Sequence, residues 1–168
     1  SSNQREKALE YIVEEAEKSR SYSSQGTLLW EEAYEIANAL DSEHKIKILE
    51  NLGEIYSIKG ENQKALNIYE ELLEYGRKLD RIEYLIMAKI GIGEIHLNRS
   101  SMELALREAQ ESINISRGKN YTEGFVKASI LYNKVLLDRG DFEEVKVNME
   151  ELLGITLRNG LDIYLGDI

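Results

Sequence analysis

The 168-residue chain is long enough for one domain or a short repeat array, and its hydrophobic share of 42% can supply a buried core. Its 31 acidic residues against 21 basic ones give a net charge of −10. That charge disfavours direct binding of nucleic acids and anionic membrane surfaces, because both are themselves negative. The absence of cysteine excludes disulfides and thiolate metal sites, and the absence of proline favours an all-helical chain.

The first part of the chain predicts an irregular helical hairpin. Apolar residues at helical spacing indicate one helix over 4–19 and another over 28–40. A serine-rich stretch at 21–26 predicts the loop between them. Trp30 and Tyr34 lie one turn apart on the second helix, and we expect them in the core.

The rest of the chain predicts three more helical hairpins. Helices are expected at about 82–98 and 102–117, and breakers at Gly60, Asp80 and Gly140 end others. A serine of the break that ends at Ser101 is expected to act as an N-cap, and so is Thr122. Asp141 with Glu144 is expected to make a start that resembles a capping box. The whole forms a single expected domain with these segments: an irregular hairpin at 1–41, repeats at 42–80, 81–120 and 121–160, and a tail at 161–168.

One pattern returns every 40 residues, which indicates stacked supersecondary units. Small residues such as Gly53 and Gly93 are expected where two helices approach closely, with Tyr69 filling the space beside one of them. The three copies are Leu52-Gly53, Tyr56, Gly60, Ala65 and Tyr69; Ile92-Gly93, His96, Ser100, Ala105 and Ala109; and Tyr132-Asn133, Leu136, Gly140, Val145 and Met149.

The first copy, with Leu-Gly-x-x-Tyr, then Gly, Ala and an aromatic residue, resembles the tetratricopeptide repeat. The 40-residue period is similar to the long-repeat variants of kinesin light chains and of bacterial regulators of the MalT and Rap type. The later copies depart from the pattern, since His96 replaces the tyrosine, and the third keeps only Gly140 clearly. The resemblance implies an all-α fold, namely an α-solenoid of about four antiparallel hairpins in a right-handed superhelix.

The resemblance also implies a concave groove, lined by the first helix of each hairpin, that binds a peptide. Glu50, Glu54 and Glu94 would make such a groove unsuited to the carboxylate tails that chaperone-binding members hold. A partner with apolar and basic residues fits better. The implied peptide-binding residues are Lys47, Glu50, Asn51, Glu54, Met87, Ile90, Glu94, Asn98, Lys127, Ile130, Leu131, Lys134 and Asp138.

The expected function is therefore a cytoplasmic protein- or peptide-binding scaffold that is not an enzyme and needs no cofactor or metal. Its two histidines have no paired acidic ligands, and His96 takes a core position of the repeat. Alternatives are the peptide-sensing domain of a larger bacterial transcriptional regulator and a homo-oligomerisation module. An enzyme with an acidic site is a further alternative, to be recognised by converging carboxylates.

Overall fold

The computed structural model describes residues 2–19, 23–40 and 44–168, and all regular structure in those ranges is helical. The all-α prediction is confirmed, and within each of the two compact parts of the chain, helices that follow one another pack together as in a helical repeat. The elements are α1 (Ser2–Lys18), α2 (Ser24–Leu40), α3 (Lys45–Ile58), α4 (Asn62–Lys78), α5 (Ile82–Asn98), α6 (Met102–Gly118), α7 (Thr122–Arg139), α8 (Phe142–Arg158) and a terminal 3-10 helix (Asp162–Asp167).

The chain forms two compact units, which we call unit 1 (Ser1–Tyr75) and unit 2 (Gly76–Ile168). Unit 1 holds α1 to α3 and most of α4. Unit 2 holds the end of α4, the helices α5 to α8 and the 3-10 helix. In unit 2, α7 contacts both α6 and α8, and it also contacts α5.

Tight turns end the helices α3 to α8 at a spacing of 20 residues, half the sequence repeat. Backbone φ is positive at Gly60, Asp80, Ser100, Asn120, Gly140 and Gly160. At the first turn, Gly60 N–H donates to Ser57 O at 3.1 Å and Glu61 N–H donates to Tyr56 O at 2.8 Å. This is the Schellman arrangement, and the same pair of hydrogen bonds recurs at each of the six turns.

Thr122 lies inside α7, after the N-cap Tyr121, so the cap expected at Thr122 is wrong. The side-chain caps expected at Ser101 and Asp141 are wrong as well. Neither side chain makes a capping hydrogen bond. Each residue instead donates its backbone N–H to the preceding helix, as Ser101 does to His96 O at 2.8 Å. The same residue thus follows the end of one helix and precedes the start of the next, and this restricts its backbone conformation. The Asp141 carboxylate bonds to Arg139, and Glu144, the other half of the expected capping box, accepts a hydrogen bond from Tyr132.

The second helix begins at Ser24, four residues before the sequence prediction, so the expected loop at 21–26 is partly wrong. Ser23 explains the earlier start, because its Oγ accepts a hydrogen bond from Gly26 N–H at 3.0 Å and caps the helix. Residues 21 and 22 of that loop, and the boundary expected between residues 41 and 42, lie outside the described residues.

The core of unit 1 confirms the close approach expected at Gly53. A Cβ on Gly53 would lie 2.7 Å from two ring carbons of Tyr69, so only glycine lets α3 and α4 meet here. Trp30 is 0% exposed, which confirms its expected place in the core, whereas Tyr34 is only half-buried and the same expectation is wrong for it. Lys45 is also buried, and its Nζ lies 2.5 Å from Glu71 Oε1 and 5.0 Å from the centroid of the Tyr75 ring.

Unit 2 repeats the glycine contact at Gly93. A Cβ there would lie 2.6 Å from Leu131 Cδ2 and 3.2 Å from Glu108 Cβ, so Gly93 brings α5 close to both α6 and α7. Leu131 belongs to a buried cluster with Ala105, Ala109 and Val135. A second cluster of Val126, Ile130 and Leu152 packs against the 3-10 helix and its flanking residues.

Candidate functional site

The peptide-binding residues predicted in unit 1 lie on α3 and are mostly accessible. Lys47 and Glu54 are exposed, and Glu50 and Asn51 are half-buried. The Lys47 ammonium pairs with Glu17 of α1, so its charge is already balanced. Asn51 donates its side-chain amide to the Lys47 carbonyl at 2.8 Å, which is a local helix contact.

Residues of α5 and α7 form the corresponding face of unit 2. Glu94 and Lys134 stand 40 positions apart in sequence, and their charged groups lie 3.6 Å apart. The acidic surface expected at Glu94 is therefore offset by a cation from the next repeat. The remaining exposed or half-buried members of this face are Met87, Ile90, Asn98 and Asp138.

Two predicted binding residues are core residues instead. Leu131 is 1% exposed and Ile130 is 6% exposed, and each belongs to a buried apolar cluster. Both face inward, because Leu131 closes against Gly93 and Ile130 packs with Leu152 of α8. Apolar neighbours enclose both side chains and neither lines a surface cleft, so this part of the predicted set is wrong.

Lys127, another predicted binding residue, is occupied by the C-terminal segment. Its Nζ pairs with Glu123 at 2.8 Å and lies 5.5 Å from the centroid of the Tyr164 ring. Tyr164 donates its hydroxyl hydrogen to Glu123 at 2.6 Å. Hydrogen bonds from Lys127 and then Tyr164 lower the pKa of Glu123, against its partial burial. Burial lowers the pKa of Lys127, but its hydrogen bonds to Glu123 and Tyr164 outweigh burial and raise it.

A cleft that sequence reasoning missed lies between α6 and α8, with α7 as its floor. Its deeper part, with a volume of about 210 Å³, has mixed polar and aromatic walls. A shallower part of about 310 Å³ adjoins it, and the two parts share Arg117, Phe125 and Glu151. We call the two together the α6–α8 cleft. Its other lining residues are Gln110, Ile113, Ser116, Asn120, Tyr121, Thr122, Ser129, Tyr132, Asn133, Glu144, Asn148, Leu152, Ile155 and Asn159.

Asn133 is the most unusual residue of the cleft. It stands 40 positions after Gly93, so it takes a glycine position of the repeat, and it is 1% exposed. Its Oδ1 accepts a hydrogen bond from Asn148 Nδ2 at 3.1 Å. Its own Nδ2 is buried and has no hydrogen-bond partner in the structure. A buried amide donor without a partner is costly, and such a donor at a cleft is suited to a ligand acceptor.

Two charged residues flank the passage between the deeper and shallower parts. Arg117, in the last turn of α6, lies with its guanidinium carbon 4.8 Å from the centroid of the Phe125 ring. Glu151 projects from α8 on the other side. Among the described residues, neither side chain forms an ion pair. Glu144, near the start of α8, already accepts the Tyr132 hydroxyl hydrogen at 3.2 Å.

The shallower part contains a second buried polar group without a partner. Ser116 is 1% exposed, and its Oγ makes no hydrogen bond in the structure. A Cβ on Gly124 would lie 2.8 Å from this oxygen and 2.3 Å from the Tyr121 ring. Glycine at position 124 therefore leaves room for both side chains where α6 meets α7.

Unit 1 has a cleft of its own between α2 and α4, with α3 as its floor. Its volume is about 570 Å³, and Glu31, Glu32 and Glu35 line it together with Tyr34 and Tyr56. Protein contacts already engage part of this surface. Tyr56 donates its hydroxyl hydrogen to Glu31 at 2.8 Å, and Tyr34 donates to Glu71, outside the cleft, at 2.6 Å. None of its lining residues has a buried polar side-chain atom without a partner.

No family model and no curated protein matches this sequence. Within the described residues, no group of three or more histidine, aspartate or glutamate side chains is placed to hold a metal ion. Over the same residues, no helix combines the length and apolar character required to span a bilayer.

One sequence feature does point to the α6–α8 cleft. Among the three aligned copies, the position after the first apolar residue is Gly53, Gly93 and then Asn133. A glycine closes the hairpin in the first two, whereas an asparagine brings a polar amide into the same place. The position at which the third copy departs from the repeat therefore indicates the cleft, and the repeat itself does not.

Proposed function

We propose that this protein is a non-enzymatic recognition module and that unit 2 binds an extended segment of a partner protein in the α6–α8 cleft. The observation that carries the proposal is the buried Asn133 amide, whose Nδ2 lacks a partner at the base of the cleft. A peptide carbonyl is the acceptor that such a donor fits. No cofactor, nucleic acid or membrane partner is part of the proposal.

The composition of the cleft supports a peptide rather than a purely apolar ligand. Gln110, Asn148 and Asn159 add amides to that of Asn133. Each of the three donates one N–H within the protein, and its oxygen and second N–H are left to match the acceptors and donors of a peptide backbone. Phe125 and Tyr132 supply aromatic area beside them. Packed helices frame the cleft in advance, so binding costs little ordering of the protein.

The first-helix face predicted from the tetratricopeptide resemblance remains a prediction. Within unit 2 its support is weaker, because Glu94 is paired with Lys134 and the terminal segment covers Lys127. Its use in a transcriptional regulator, or in homo-oligomerisation, likewise stays a prediction. A cytoplasmic location belongs to the proposal and rests on the cysteine-free composition.

Binding to an array of random peptides tests the proposal, with the full chain and two variants compared. Asn133→Ala removes the buried donor and keeps the helix, so it should weaken the peptides that bind the wild type by about tenfold. Asn98→Ala is the matched control, because Asn98 is an exposed asparagine on the first-helix face. Binding that depends on Asn98 and not on Asn133 would contradict the cleft. An array with no bound peptide would contradict the function.

A further inference from the structure

We infer that the segment bound in the α6–α8 cleft carries an acidic residue directly beside a basic residue. The acidic side chain contacts Arg117 on α6, and the basic side chain contacts Glu151 on α8. The inference rests on the proposed function and adds the chemistry that selects the partner.

Arg117 is held ready for a carboxylate. The Phe125 ring lies 4.8 Å from its guanidinium carbon, and that contact restrains the group. A guanidinium packed on a ring keeps N–H groups at its edge, and these match the two oxygens of a carboxylate. The protein has 31 acidic residues, yet no carboxylate in the described part of the chain pairs with Arg117.

Glu151 supplies the opposite charge from the other wall. It is exposed, lines both parts of the cleft and pairs with no cation in the described ranges. A ligand with carboxylates alone would meet repulsion from Glu151, and a ligand with cations alone would meet repulsion from Arg117. Only a segment with both charges satisfies both walls.

The position of the charges favours side chains within a segment over a chain terminus. Arg117 and Glu151 line both parts of the cleft, so the cleft continues past them in two directions. A carboxyl terminus seated at Arg117 would leave one part empty. In an extended chain, successive side chains point to opposite sides. Neighbouring residues of opposite charge can therefore reach the two walls while the backbone passes along the floor near Asn133.

Four versions of one peptide selected on the array test this inference. The first has an acidic residue next to a basic residue. The second replaces the acidic residue by its amide, the third replaces the basic residue by glutamine, and the fourth replaces both. The wild-type protein should bind the doubly charged version about twofold to fivefold more tightly than either singly charged one, and the advantage should shrink as salt rises.

Matched protein variants assign each charge to its wall. Arg117→Gln should abolish the preference for the acidic residue and keep the preference for the basic residue. Glu151→Gln should do the reverse. Arg107→Gln and Glu150→Gln are the controls, because both residues are exposed on the same helices and neither lines the cleft. Both controls should keep the wild-type preferences.

The outcomes separate the inference from the proposed function. Equal binding of the four peptides, or preferences that survive Arg117→Gln and Glu151→Gln, would overturn the inference while leaving peptide binding in place. A preference for charges at a helical spacing instead of adjacent positions would also overturn it. Loss of affinity on amidating the peptide carboxyl terminus, without any effect of the internal acidic residue, would assign Arg117 to a terminus and overturn it too.

Discussion

One equivalent position in the first helices of the hairpins is glycine in two of them and asparagine in the third. We call the hairpins closed where glycine admits a close contact, and open where asparagine lines the α6–α8 cleft. Gly53 in unit 1 and Gly93 in unit 2 admit neighbouring side chains to within contact of the helix backbone. Asn133 fills the same position on α7, bonds to Asn148 of α8 and lines a cleft. A repeat therefore maintains the fold where it is regular, and it offers a candidate site where it departs from its own pattern.

The largest effect is expected at a closed hairpin. In Gly53→Ala the new Cβ would lie 2.7 Å from the Tyr69 ring, which is buried, so α3 and α4 must separate. Overpacking of this kind exceeds the helix-propensity gain of alanine and should lower the free energy of unfolding by about 1 to 2 kcal/mol. Urea unfolding followed by circular dichroism measures it.

Gly154→Ala is the control for that substitution. Gly154 also lies within a helix, but its nearest neighbour would be the flexible end of Arg158 at 3.3 Å. The same change should therefore raise stability by about 0.5 to 1 kcal/mol, because alanine restricts the unfolded chain. Equal effects at the two glycines would mean that the close approach at Gly53 is unimportant.

Alkaline pH should distinguish Tyr56, which lines the unit 1 cleft, from Tyr132, which lines the α6–α8 cleft. Burial, and then its hydrogen bond to Glu31, raise the pKa of Tyr56 well above its usual value. Burial and the neighbouring Glu144 raise the pKa of Tyr132, which is only half-buried, to a lesser degree. A tyrosine whose pKa is higher in the folded than in the unfolded protein contributes to stability. That contribution is complete below about pH 10 and is lost as pH rises further.

Tyr56→Phe should therefore reduce the loss of stability between about pH 8 and about pH 11 by roughly 1 kcal/mol, and Tyr132→Phe by less. Urea unfolding at the two pH values measures both differences, and lysine titration is common to all three proteins. A larger change in Tyr132→Phe would place the more strongly perturbed phenol in unit 2 and contradict the comparison.

The smallest stability effect is expected at the open hairpin. Asn133→Ala loses the hydrogen bond to Asn148 but also removes a buried donor that has no partner. These two effects oppose each other, and the free energy of unfolding should stay within about 1 kcal/mol of the wild type. A loss of several kcal/mol in urea unfolding would show that the amide is a structural element of the core.

The sequence predicted the helices because their breakers are local. The expected helix at 82–98 agrees with α5 at both ends, and Gly60 and Gly140 end helices with positive φ as expected. Asp80, Ser100 and Asn120 take the same conformation without being glycine. The sequence alone therefore did not reveal that the turns recur every 20 residues. Backbone hydrogen bonds, rather than residue type, define those turns.

The candidate site was much harder to predict. Residue type and repeat position placed Ile130 and Leu131 on a binding face, but burial depends on which face of α7 meets its neighbours. The pairing of Lys134 with Glu94 depends on the distance between two helices, which no local pattern encodes. Asn133 was visible as a departure from glycine, yet its missing partner appears only when α8 is in place.

The central claim is that a peptide binds in the α6–α8 cleft, and the side-chain amide resonance of Asn133 tests it most directly. The isotope-labelled full chain would be titrated with a peptide that binds the array. We predict a downfield amide-proton shift at Asn133, with smaller shifts along α6 and α8. An unchanged Asn133 amide, with shifts confined to residues around Glu54 and Glu94, would contradict the account.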